Sequence, residues 1–477
     1  TEIYTLSLHD ALPILAALAS CAAAVLGAQE PTQPQTITLT LDQAIEIALN
    51  ENPTIRIADM EIERQDYVRK ETVGNLLPSL SGSGQYSYAI IKQKMSKSGL
   101  SFGADNTVTV AANLNVPLFV PSVYASLKLN DAQIAEAVES ARSSRVNMVN
   151  EVRKAYYNML LLQESLDVLR ESEKIMQETV DNTRMMYEAE LGSEYDYITA
   201  QSNLSAIMPN IIQTEGSIEV ADLYMHMLLS LPNDVEITFV GDLDYYSEDI
   251  VNSTGYYSTD VSNNSDLKLL DIQERMLEAQ LKMTNAQRIP TVSAFGSLSL
   301  YGNDMPEINF GDLGGGSQVA GSSKQFWWQY PASVGVSISI PIFSGNKINN
   351  QAKQAKIAID QLKMQREYME ESTGMQVRTA ISNLVTARSK MKANETAMAQ
   401  ARKAYDIMNA RYTGGAGTIL ELNSSQLQLT QAQLNYTQAI YDYLAAEADY
   451  EKIIGLDYVP ETERTDSVSG ADYSENK

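Results

Sequence analysis

With two histidines and one cysteine, this 477-residue chain has little that could do covalent chemistry. A hydrolase triad would need His9 or His226, a Cys/His metal cluster would need more thiols or imidazoles, and a disulfide within the chain would need a second cysteine. His9 lies in the leader. His226, in the run Tyr-Met-His-Met-Leu-Leu, sits where a packed or surface imidazole is commoner than a general base. The reading is therefore no enzyme and no cofactor. Lys+Arg 35 against Asp+Glu 60 gives a net charge of −25, which repels nucleic acid and would favour cations in any enclosed lumen.

The elements that must position any site come in two kinds. Ser333 to Ile340 alternates Val334, Val336, Ile338 and Ile340 with Ser333, Gly335, Ser337 and Ser339, the period of a strand with one apolar face and one wet face, and Pro341 ends it. Asn346 to Tyr412 then reads as one helix, about 100 Å long at ~1.5 Å per residue. An equally long helix is expected from Ser122 to Tyr187, where Ile134, Val138, Ala141, Met148, Val152, Ala155, Met159, Leu162, Leu166, Leu169, Met176 and Val180 fit a seven-residue apolar repeat. In that register Leu162 and Leu166 are buried and Glu164 is exposed. A return helix follows to about Leu231, with a kink expected at Pro209 and Gly216.

The second half repeats the first. Pro78 matches Pro290 at an offset of 212, Pro117 matches Pro341 at 224, and Tyr187 and Gly192 match Tyr412 and Gly417 at 225. The step in offset places a Gly/Ser-rich insertion, Asn303 to Gln325, between the paired strands of the second half. The expected organisation is a signal segment with a non-native leader at 1–28, a first repeat at 29–262, a second repeat at 263–456 and an acidic disordered tail at 457–477. The first repeat holds strands 79–90 and 107–117 and a helical hairpin 122–231. The second holds strands 291–301 and 330–341 and a helical hairpin 346–455.

Ile14 to Ala28 is an apolar run of signal-peptide length. The dozen residues at the start have no initiator Met and no basic n-region, and read as translated sequencing adaptor. Leu18-Ala19-Ser20-Cys21 resembles a lipobox and would make Cys21 a lipidation point, although the apolar run continues past it to Leu26.

Each strand is about 11 residues, the ~9–11 that a tilted strand needs to cross a bilayer. On one face Val108, Val110, Leu114, Val334, Val336 and Ile338 would meet lipid. Phe119, Trp327, Trp328, Tyr330 and Phe343 fall at strand ends, as an interfacial girdle requires. Four strands cannot close a barrel, and an open edge in lipid leaves backbone groups unpaired. Three chains would supply a twelve-stranded barrel.

Leu41 to Ile55 (L-D-Q-A-I-E-I-A-L-N-E-N-P-T-I), the paired V-P-L-F at Val116 and I-P-I-F-S-G at Ile340, and R-Y-T-G-G-A-G-T-I-L-E-L-N-S-S-Q-L-Q-L from Arg411 resemble the TolC family of outer-membrane factors. The resemblance covers Thr36 to Leu456. It implies an α+β, mainly α, trimeric channel-tunnel in the Gram-negative outer membrane, with a periplasmic α-barrel, a periplasmic adaptor and an inner-membrane transporter. Passive export of small molecules or drugs follows from it, with type I protein secretion or metal-ion efflux as alternatives; a structural coiled-coil surface protein is the alternative of another class. The first helix-to-helix turn departs from the family pattern by carrying Glu190 where Gly or a small residue is usual.

The two turns are expected at the periplasmic end, with Gly192, Gly414, Gly415 and Gly417 supplying positive φ. Tyr187, Arg411 and Tyr412 beside them are candidate adaptor contacts. Asp406, about one and a half turns before Tyr412, is the candidate for a lumen-facing acidic constriction. Three copies would repel when ionised unless Arg402, Arg411 or a cation opposed them.

Overall fold

The computed structural model describes residues 36–91, 93–95, 100–102, 104–252, 257–304 and 326–459. The signal segment with Cys21, most of the loop from Asn303 to Gln325 and the tail beyond 459 lie outside them. The chain divides into two compact units, and the two longest helices each run through both.

One unit comprises residues 49–151, 254–387 and 445–477. Its sheet is built from β2 (Ser79–Tyr88), β5 (Asn106–Phe119), β7 (Thr291–Asn303), β8 (Trp327–Gln329) and β9 (Ala332–Ser339). β2 pairs β5, β5 pairs β7, and β7 pairs β8 and then β9, all antiparallel. The fourth strand is thus interrupted at Tyr330-Pro331, where proline has no N–H for the ladder and its carbonyl accepts from Ser299 N at 2.9 Å instead. It ends at Ser339, short of Pro341. A further ladder, β3 (Gln93–Met95) with β4 (Leu100–Phe102), stands between the first two strands, where the sequence reading places none.

Before and between these strands lie two related helices, α2 (Pro53–Gly74) and α6 (Ser265–Ala286). Each starts on an asparagine: Asn52 Oδ1 accepts from Thr54 N at 2.8 Å, and Asn264 Oδ1 accepts from Asp266 N at 2.9 Å and Leu267 N at 3.2 Å. These asparagines are 212 residues apart, the offset of the duplicated prolines. Equivalent aspartates on the two helices, Asp59 and Asp271, are paired with Arg145 and Arg366. Arg142 spans further, donating to Asn263 O at 2.6 Å, Ser265 Oγ at 2.9 Å and Gly455 O at 3.2 Å. Gly455 has φ 70°, and a Cβ there would lie 2.2 Å from Asn263 O, so only glycine fits.

The other unit comprises residues up to 48, 152–253 and 388–444. It opens with β1 (Thr36–Leu39), which pairs in parallel with β6 (Glu236–Phe239). This ladder is absent from the sequence reading because four residues are too few to show a period. A capping box on Thr40 and Gln43 starts α1 (Leu41–Glu51), whose Ala44, Ile45 and Ala48 are buried. The long elements are α3 (Pro121–Glu188), α4 (Glu194–Leu229), α7 (Lys347–Thr413) and α8 (Ile419–Ile454), with α5 (Leu243–Asn252) following β6. Within this unit Leu169, Met176, Ile207 and Ile211 form a core that Leu166, Leu204 and Leu434 flank.

The α3 register differs from a two-residue seam. Leu161 and Leu169 are buried, Leu162 and Leu166 half-buried, and Val138 exposed. Glu164 is half-buried rather than exposed. The reason is that α3 is covered by more than a partner helix: Tyr157 packs edge-on to Tyr246 of α5 at 5.3 Å, and Tyr156 to Phe239 of β6 at 5.5 Å. A wider covered arc replaces the narrow stripe. The fully buried Tyr156 also donates to Val240 O at 2.5 Å and Leu39 O at 3.1 Å, and accepts from Val240 N at 3.2 Å. Burial pushes its phenol up to about 12.

Candidate functional site

Facing residues of an antiparallel ladder lie on one side of the sheet. One side therefore carries rows such as Leu80–Leu114–Gly296–Val334, with Val108, Val110, Val336 and Ile338 on the same side. Val110, Leu114, Val334, Val336 and Ile338 are exposed, Val334 at 88%, and Val108 is half-buried. The other side carries Ser81, Asn113, Ser297 and Ser333, the last two hydroxyls 2.7 Å apart. A contiguous exposed apolar face of this size meets lipid or a partner.

Aromatics mark both ends of this face. Trp328 faces Gly302 on the apolar side at one end, whereas Trp327 faces Asn303 and so lies on the polar side, contrary to a girdle made of both. Tyr330 follows two residues after Trp328, Phe119 pairs with Val292 at the other end, and Phe343 follows β9. A Cβ on Gly302 would lie 2.4 Å from the Phe326 ring and 2.8 Å from Trp328, so glycine lets the indole lie across its neighbour. From Val292 to Gly302 the strand advances about 33 Å, and a tilt near 40° gives an apolar band about 25 Å tall, the height that outer-membrane barrels present to lipid. Asp304 closes the Trp end, accepting from Asp105 N at 2.7 Å and Asn106 N at 3.0 Å. Among the described residues β2 and β9 each have one partner strand on this sheet, so both edges are open.

The helix tips, in the other unit, repeat each other residue for residue. Between α3 and α4 the left-handed residue is Glu190, φ 58°; at the matching position between α7 and α8 it is Gly415, φ 69°. Gly192, Gly414 and Gly417 do not have positive φ, contrary to the expectation from sequence. They are small because the chain passes close. A Cβ at Gly192 would lie 2.8 Å from Met186 Cβ, at Gly417 3.1 Å from Tyr412 N, and at Gly414 3.2 Å from Ala410 O. Glu190 thus bears the left-handed strain, about 1–2 kcal/mol for an L residue. After each turn a hydroxyl restarts the helix: Ser193 accepts from Tyr195 N at 3.1 Å, and Thr418 shares a capping box with Glu421.

Around these turns Tyr187 is exposed and stacks on Tyr197, centroids 6.2 Å apart and planes 10° from parallel. Arg411 is exposed and donates to Ala416 O at 3.1 Å. Tyr412 is half-buried, and burial, with the Asp196 carboxylate, pushes its phenol up. Leu191, Tyr195, Ile198 and Leu420 are also exposed here. These apolar neighbours were missed in the sequence, where a hydrophobic residue near a turn gives no sign of which way it faces.

Asp406 and Arg402 line a cleft of about 220 Å³ between α3, α7 and α8, with Glu171, Tyr405 and Gln426. Burial, then Asp406, Glu178 and Glu171, push the Tyr405 phenol up. Among the described residues Asp406 forms no ion pair with Arg402 or Arg411; Arg411 is turned into its own tip instead.

The sequence model of the outer membrane efflux protein family matches residues 44–225 and 257–456. The outer membrane protein TolC of Escherichia coli is 21% identical over 390 residues, 80% of this chain and 75% of that protein. The alkaline protease secretion protein AprF of Pseudomonas aeruginosa is 21% identical over 383 residues, 79% of this chain and 76% of that one. The crystal structure of the Campylobacter jejuni CmeC outer membrane channel superposes with a TM-score of 0.69 at 16% identity, covering 90% of this chain and 88% of that one.

Proposed function

Because this chain belongs to the outer membrane efflux protein family, we propose that it is the passive outer-membrane exit duct of a tripartite export system. An inner-membrane transporter drives the substrate, a periplasmic adaptor connects the two, and this protein conducts small molecules or drugs outward without an enzymatic step. The observation that carries the reading is the sheet: its exposed side is apolar over about 25 Å between aromatic ends, and both of its edges are open. In lipid those edges must be paired, and three copies of the chain pair all of them in one twelve-stranded barrel. The duct is then a homotrimer, with its helices in the periplasm.

In this reading the tips dock on the adaptor through Tyr187, Arg411 and Tyr412 around the glycine turns. Asp406, with Arg402 one turn before it, contributes the acidic constriction. Arg411→Glu and Gly415→Trp should abolish export while trimers persist in the outer-membrane fraction; normal export by both would remove the docking assignment. Protein secretion is the second reading, supported by the similarity to the alkaline protease secretion protein AprF. Deleting the gene separates the two. Loss of drug resistance with an unchanged secreted-protein profile supports small-molecule export, and the converse supports secretion.

A further inference from the structure

In the unit that carries the tips, two protonatable side chains hold the segment between α4 and the start of α5, one on either side of β6. Upstream is His226, in the last turn of α4 and only 3% exposed. Its Nδ1 lies 2.9 Å from Asp222 O and its Nε2 2.7 Å from Val235 O, the residue before β6. Both neighbours are carbonyl oxygens and can only accept, so both bonds exist together only when each ring nitrogen carries a proton. The Asp222 carboxylate, 3.3 Å from Nδ1, favours the same state.

Downstream is Glu164 of α3. Its Oε2 is buried with no hydrogen-bond partner among the described residues. The charges acting on it are all carboxylates: Asp244 and Asp242 from the segment, and Asp167 from its own helix. Tyr436 of α8 faces the same group and bonds Ser247 of α5, and Glu395 of α7 acts on Tyr436. A carboxylic acid can sit against Asp242 and Asp244 with little repulsion, whereas a carboxylate adds a third charge in a half-buried place.

We propose that the segment from Val235 to Ser247 is a pH-operated latch, held on α3 and α4 while His226 and Glu164 are protonated and released at its two ends as they lose their protons. Between these ends the segment is fixed by Tyr156 on Val240 and by the β1–β6 ladder, neither of which titrates near neutral pH.

The two groups act in the same direction. Burial raises the Glu164 carboxyl to about 7, reinforced by Asp244, Asp242 and Asp167. Burial alone would lower His226, but its bonds to the Asp222 and Val235 carbonyls and the Asp222 carboxylate outweigh that, and the net shift is upward. In each case protonation stabilises the docked form. The His226 contribution is complete below about 6.5 and lost as pH rises through its raised value; the Glu164 contribution is complete below about 4.5 and lost as pH rises through about 7.

The test is hydrogen–deuterium exchange on the full-length protein in detergent at pH 6 and pH 8, each rate corrected for the intrinsic dependence of amide exchange on pH. Peptides covering residues 242–247 should open about tenfold more often at pH 8 from Glu164 alone. Peptides covering residues 231–236 should open more often through His226, while peptides of β5 and β7 stay unchanged. Glu164→Gln, which keeps the shape of the protonated acid, should remove the pH dependence at 242–247 and leave that at 231–236. His226→Gln should do the reverse. Equal corrected protection at both pH values, or full pH dependence at 242–247 in Glu164→Gln, would overturn the latch. Glu164→Gln carries the test by itself should the histidine variant fail to fold.

Discussion

Placing an arginine at successive depths on the apolar side of the sheet tests the barrel assignment most directly. Val334 faces Gly296, four residues from Val292 and six from Gly302 along β7. That is about 10 Å into a band about 25 Å tall, close to the bilayer midplane. An arginine there costs about 2–4 kcal/mol per chain, or about 6–12 kcal/mol over three copies if the sites are independent. Ile338 is of the same type but faces Val292 at the rim of the band. Its arginine variant should cost only about 0–1 kcal/mol. Ser333, next to Val334, faces Ser297 on the polar side at nearly the same depth. Ser333→Arg should therefore assemble, lose the 2.7 Å hydroxyl contact to Ser297, and change conductance. The assay is the yield of heat-resistant trimer from outer membranes on semi-native gels, with urea titration in vesicles for the energies. The expected order of yield is Ser333→Arg and Ile338→Arg near wild type, with Val334→Arg strongly depleted. Equal yields of Val334→Arg and Ser333→Arg would refute the lipid-facing assignment, and depletion by Ile338→Arg equal to that by Val334→Arg would refute the depth scale.

Glu190→Gly should stabilise the first tip by about 0.5–1 kcal/mol by relieving a left-handed L residue, whereas Gly415→Ala should destabilise the second by about 1 kcal/mol; opposite shifts in unfolding midpoint check both. Tyr156→Phe removes the phenol from the Val240 carbonyl, while Leu39 O keeps the Val240 N–H at 3.0 Å, and should cost about 1–3 kcal/mol, read as faster exchange in β1 and β6. If exchange there is unchanged, the tyrosine does not tie the ladder to α3. Asp406→Ala should raise single-channel conductance or weaken block by divalent cations; an unaltered channel on both counts would leave Asp406 as a solvated side chain of the cleft.

What the sequence determined by itself was periodic or paired. Alternation over Ser333–Ile340 and Thr107–Pro117 identifies strands, found at Ala332–Ser339 and Asn106–Phe119, because a pleated ladder repeats every two residues, whatever it packs against. Tyr187 and Gly192, matched by Tyr412 and Gly417 225 positions on, mark two related tips for the same kind of reason, since backbone sterics are local. Only the tertiary structure decided what depends on neighbours remote in sequence. Positive φ fell to Glu190 and Gly415 and not to the other tip glycines, whose smallness answers to Met186, Tyr412 and Ala410. Glu164 reads as a solvated position of a coiled coil, because nothing in a heptad shows that a segment some eighty residues later will cover it with Asp242 and Asp244. His226 is likewise a bland residue in sequence, and its two carbonyl partners come together only when α4 ends and the chain turns back at Ser230 toward Val235. Burial and charge are sums over space, and a one-dimensional pattern records only the part of that sum that lies along its own helix or strand.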